Sequence, residues 1–83
     1  MSDERDAGRT FVEHRFRAFA GDPDLTLEWS PGVAARGYLL NVKRDGVELG
    51  EPLAFSDREL LYPQEHAPAI NDRVFQWVQV NVR

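Results

Sequence analysis

The chain has 83 residues, 42% hydrophobic and 29% charged, with no cysteine and a formal net charge of −4. That length allows one domain, smaller than the usual size of about 100 to 150 residues, and a thin core that buries only about 60 to 65% of the unfolded surface. Missing cysteines exclude disulfides and thiolate metal sites, while an acidic balance with scattered basic residues opposes attraction to nucleic acid.

Met1 to Arg9 is polar and mixed in charge, so residues 1–9 are expected to be a flexible tail preceding a single domain over residues 10–83. Nothing there resembles a secretory leader, and no apolar run approaches membrane-spanning length. The sequence therefore suggests a cytoplasmic chain or one assembled without a leader, with no membrane as partner. From Thr10 to Ala20 the residues alternate. Val12, His14, Phe16, Ala18 and Ala20 point one way, while Phe11, Glu13, Arg15, Arg17 and Phe19 point the other, which predicts a first strand. Gly21-Asp22-Pro23-Asp24 reverses the chain.

Leu25 to Ser30 alternates again, with Leu25, Leu27 and Trp29 on the core face. Pro31-Gly32 stops this second strand, and Tyr38 to Lys43 forms a third with Tyr38, Leu40 and Val42 inward. Asp45-Gly46 predicts a tight hairpin, with Val47 to Leu49 returning antiparallel. Ser56-Asp57-Arg58-Glu59 fits a helix-start capping box, yet Pro63 follows so closely that a short strand, Glu59 to Tyr62, is preferred. Gln64 to Arg73 reads as loop and valine-rich Val74 to Arg83 as the last strand. Short strands joined by turns predict an all-β sandwich or small barrel.

The runs Leu25-Thr26-Leu27-Glu28-Trp29-Ser30-Pro31, Gly37-Tyr38-Leu39-Leu40-Asn41-Val42 and Arg44-Asp45-Gly46-Val47-Glu48-Leu49-Gly50 resemble bacterial and phage fibronectin type III modules. That family carries a core tryptophan before a Ser-Pro turn, a core tyrosine after a glycine, and a hairpin reading like Arg-Asp-Gly. The resemblance covers about half the chain and implies a small immunoglobulin-like or fibronectin type III-like sandwich, with or without its last strand; as nothing follows Arg83, the edge of the strand Val74 to Arg83 is expected to be left open, or filled by the first strand or another molecule. The expected core is Phe16, Leu27, Trp29, Tyr38, Leu40, Val42, Val78 and Val80. In the last strand, either the valines face inward with Phe75 and Trp77 outward, or a bulge switches faces partway.

No catalytic motif is present: no nucleophile elbow, no His-Glu-x-x-His, no phosphate-cradling glycine loop. Pairing Ser30 or Ser56 with His14 or His66 has no support in the spacing. His14 is expected as a partly buried histidine and not a metal ligand, and His66 as solvated. Asp22 and Asp24 are too few for calcium and read as turn residues, and Glu13, Arg15 and Arg17 form a charged stripe on an outer face, read as solvated, with a binding patch as the alternative. No cofactor or metal is expected. Phe11, Phe19, Phe75 and Trp77 are apolar groups on outer faces, either a partner-binding surface or residues partly covered by segment 53–73. These features suggest a non-enzymatic structural or protein-binding module that associates with itself or another protein. The family resemblance implies a small subunit of a larger assembly such as a virion; the alternative is an inhibitor or adaptor that binds through an exposed strand edge.

Overall fold

The computed structural model describes residues 4–82 and is not all-β. Among these residues the chain forms α1 (Asp6–Ala20), β1 (Leu25–Pro31), a 3-10 turn (Val33–Ala35), β2 (Tyr38–Arg44), β3 (Val47–Glu48), β4 (Leu53–Phe55), α2 (Asp57–Leu61) and α3 (Ala67–Asn81). The sandwich implied by the sequence is replaced by a four-stranded antiparallel sheet whose inner face shares one core with the helices.

Three expected strands are helices, and two of them, the first and the last, are so for one geometric reason. Apolar residues spaced by four satisfy a strand's period of two and nearly satisfy a helix's 3.6. In α1 the buried positions are Gly8, Val12, Phe16 and Ala20, and the positions that separate the two readings, His14 and Ala18, are exposed. In α3, Ile70, Val74 and Val78 are buried, whereas Val80, expected in the core, is 80% exposed. One residue past Val78 along a strand's face lies on the far side of a helix.

Helix α1 starts at Asp6, inside the expected tail, and Met1 to Asp3 lie outside the described residues. It ends at Gly21, whose left-handed φ of 63° lets its N–H reach Arg17 O. Helix α3 begins within the expected loop 64–73 and tolerates Pro68 in its first turn, where a missing N–H leaves no helical bond broken. The expected strand Glu59 to Tyr62 gives way to α2. Ser56 Oγ accepts the Glu59 N–H at 3.2 Å, Glu59 Oε1 accepts the Ser56 N–H at 3.0 Å, and Leu60 is buried beneath.

The middle of the chain lies where alternation placed it. Strand β2 is central, with Leu27 opposite Val42 and Trp29 opposite Leu40 in β1. Its other flank pairs with β3 at one end, Lys43 opposite Glu48, and with β4 at the other, Leu40 opposite Leu53. Asp45 and Gly46 both take left-handed φ, 54° and 80°, as a two-residue hairpin loop demands. The inner face contributes Leu25, Leu40, Val42, Leu53 and Phe55 to the core, and α1 and α3 contribute Val12, Phe16, Ile70, Val74 and Val78. Leu27, Trp29 and Tyr38 pack against that core half-buried. The outer face is polar, with Lys43 Nζ 2.9 Å from Glu28, as in antiparallel sheets with one solvated side. Helices α1 and α2 meet at Gly8, where any Cβ would collide with the Leu60 backbone.

Candidate strand-binding edge

The two flanks of the sheet are finished differently. Along the β3–β4 flank, one stripe of α3 closes the broken return arm. Arg73 donates to Ala54 O at 2.9 Å, Trp77 Nε1 donates to Glu51 O at 2.8 Å, and Asn81 packs over Gly50. Spacing by four sets these three side chains on one helical face.

Strand β1 forms the opposite flank. Leu49 N–H donates to Val42 O at 3.1 Å, so the backbone groups of Val42 face β3. Alternation then turns Leu39, Asn41 and Lys43 toward β1, where the register gives them Ser30, Glu28 and Thr26 as partners. Leu25, Leu27 and Trp29 therefore direct their N–H and C=O groups away from the sheet.

Helix α1 guards that edge only in part. Arg17 Nη1 reaches Leu25 O at 3.4 Å, longer than an ordinary N–H···O bond, and Glu13 Oε2 accepts the Trp29 indole N–H at 2.6 Å. Among the described residues nothing else bonds the outward backbone groups of Leu27 and Trp29. A cleft of about 180 Å³ lined by Thr10, Glu13, His14 and Arg17 adjoins one of about 320 Å³ lined by Arg17, Gly21, Asp22 and Pro23. Glu13 and Arg17, by their contacts with Trp29 and Leu25, place this α1 surface beside β1. At the start of the strand Asp22 accepts the Asp24 N–H at 2.9 Å and pairs with Arg44 at 2.6 Å, and these two bonds hold its carboxyl below the usual range. Pro31, without an N–H, ends the edge.

The residues singled out in the sequence are dispersed. Trp77 does not face outward: its ring packs 5.7 Å from Phe16, because it belongs to the stripe of α3 turned toward the sheet. Phe19 and Phe75 meet edge to face at 5.6 Å with Phe75 47% exposed, and Phe11 lies about two turns earlier on α1 beneath Arg15. His14 is exposed in the cleft and not partly buried. His66 Nδ1 sits 3.0 Å from Tyr62 O. Ser30 Oγ accepts from Asn41 and Ser56 Oγ caps α2, so neither hydroxyl is engaged with a histidine. No group of three or more metal-binding side chains occurs among the described residues.

A cleft of about 420 Å³ at the other end of the sheet includes Arg36, Tyr38, Phe55, Glu59 and Arg73. Its central charges satisfy each other, Arg73 donating to both Glu59 oxygens at 3.1 and 2.8 Å. Glu13 and Arg17, read from the sequence as part of an outer-face stripe with Arg15, are the residues whose place beside β1 the sequence did not give. Their spacing of four was the available signal, but only a helix places both along the same strand.

Among the described residues no helix is long and apolar enough to cross a membrane. Compared with known proteins, the chain matches no family model, no curated protein and no solved structure.

Proposed function

We propose that this chain is a protein-binding module, without catalysis of its own, that accepts an extended segment of a protein partner as an added strand on the outer edge of β1. The observation that carries this reading is the pair of outward backbone positions at Leu27 and Trp29, unbonded among the described residues and set beside a cleft along α1. Unpaired edges are templates for another strand, and proteins that do not use them usually cover or charge them. Here the contrast between flanks is informative: α3 covers one, while on the other, among the described residues, Leu25 O is the only outward backbone group that α1 bonds. Main-chain bonds supply affinity in such an arrangement, and an adjoining cleft supplies side-chain selectivity. The edge expected from the sequence, Val74 to Arg83, does not serve, because residues through Asn81 are helical.

The test is selection from a library of random peptides displayed on yeast, followed by amide hydrogen exchange on the complex. Selected peptides should protect the Leu27 and Trp29 amides, and binding should be lost in Leu27→Pro, which removes an outward donor but no bond to β2. Far-UV circular dichroism checks that this variant folds. The reading fails if those amides are already protected in the unbound monomer, or if bound peptides leave them exchanging freely.

A further inference from the structure

We infer that the strand this edge accepts is β1 of a second copy of the chain, paired antiparallel about a twofold axis through Leu27. This rests on the strand-addition reading above and names its partner.

The edge is self-complementary in its backbone. Leu25, Leu27 and Trp29 are the outward-facing positions, so a twofold axis at Leu27 sets Leu27 against its own copy and Leu25 against the second copy's Trp29. Each facing pair can exchange both N–H···O bonds. The long Arg17 contact to Leu25 O is then replaced by the N–H of the second copy's Trp29. Inner-face side chains benefit as well, since Leu27 and Trp29 are only half-buried in one chain and would meet apolar neighbours across the junction.

Charge selects both partner and register. In one chain Arg17 stands at the Leu25 end of the edge and Glu13 at the Trp29 end. A continuous sheet keeps both copies of α1 on the same face, and the twofold brings each Arg17 toward the second copy's Glu13. Arg17 is released from its weak carbonyl contact, and Glu13 has its Oε1 available while Oε2 keeps the Trp29 indole. Moving the axis by one residue, to Glu28, would set two glutamates directly opposite each other, an unfavourable cross-strand pair. The Leu27 register instead sets Thr26 opposite the second copy's Glu28.

Sedimentation equilibrium over the micromolar to millimolar range should show mass rising from one chain toward two, with Leu27 and Trp29 amides gaining protection in parallel. Arg17→Glu and Glu13→Arg, each checked for folding by circular dichroism, should each raise the dimer dissociation constant at least about tenfold through like-charge repulsion. Mixed one to one, they should recover a heterodimer. If Glu13→Arg does not fold, Arg17→Glu mixed with Glu13→Gln/Arg17→Lys, which keeps the indole acceptor and one positive charge, replaces that pair. A wild-type chain that stays monomeric at millimolar concentration, while library peptides still protect Leu27 and Trp29, overturns this inference and leaves strand addition standing. A dimer indifferent to Arg17→Glu overturns it too, and one in which those amides still exchange freely places the interface elsewhere.

Discussion

Val78 and Val80 sit two residues apart near the end of α3, and truncating each to alanine should have opposite consequences. Val78 is fully buried at 0% exposure, so Val78→Ala removes two methyl groups worth about 0.8 kcal/mol each in transfer energy, before any cavity is counted. Adding an unfilled cavity brings the expected loss to about 2–3 kcal/mol. A domain of this length has a total stability of roughly 4–12 kcal/mol, so that loss is a large fraction of the whole. The midpoint of thermal unfolding should fall by roughly 10–20 °C. Val80 is 80% exposed, and Val80→Ala leaves no cavity while substituting the best helix former. Its effect should stay within about 0.5 kcal/mol and favour the folded state. Urea and thermal unfolding followed by far-UV circular dichroism measure both. Equal destabilisation by the two substitutions would mean that they share a face, as in a strand, and would refute the helical assignment of residues 67–81.

Ala34 holds a left-handed conformation, φ 57° and ψ 32°, in the turn between β1 and β2, where its Cβ is unfavourable. Ala34→Gly should raise stability by about 0.5–1 kcal/mol after the greater freedom of glycine in the unfolded chain is deducted, seen as a higher urea midpoint at unchanged slope; a lower midpoint would show that no strain is stored there. Burial pushes the Glu59 carboxyl up, but the Arg73 guanidinium and the Ser56 N–H outweigh it and hold the group below its ordinary range. Its folded value lies under its unfolded one, so this stabilisation is fully present above the ordinary glutamate pKa of about 4.3 and is lost as pH falls through the folded value. The urea midpoint of the parent should therefore drop more steeply in acid than that of Glu59→Gln, and superimposable profiles would refute the assignment.

The sequence by itself determined the centre of this protein. Alternation at Leu25 to Ser30 and Tyr38 to Lys43, with Asp45-Gly46 between β2 and β3, specifies strands and their hairpin, because side-chain period and turn dihedrals are local properties. The capping box at Ser56 was also legible, and Pro63 obscured it only because α2 is short. The two long helices were not settled locally. Val12, Phe16 and Ala20, like Val74 and Val78, recur every fourth residue and suit a strand or a helix alike. Tertiary structure decided between them: a half-apolar antiparallel sheet must cover its inner face, and two helices cover it while also burying Ile70 and placing Gly8 against α2. The same packing created the candidate edge. Leu27 and Trp29 are ordinary core-face residues in the sequence, and only the sheet order, with β1 outermost and α1 covering it incompletely, leaves their outward backbone groups unbonded among the described residues.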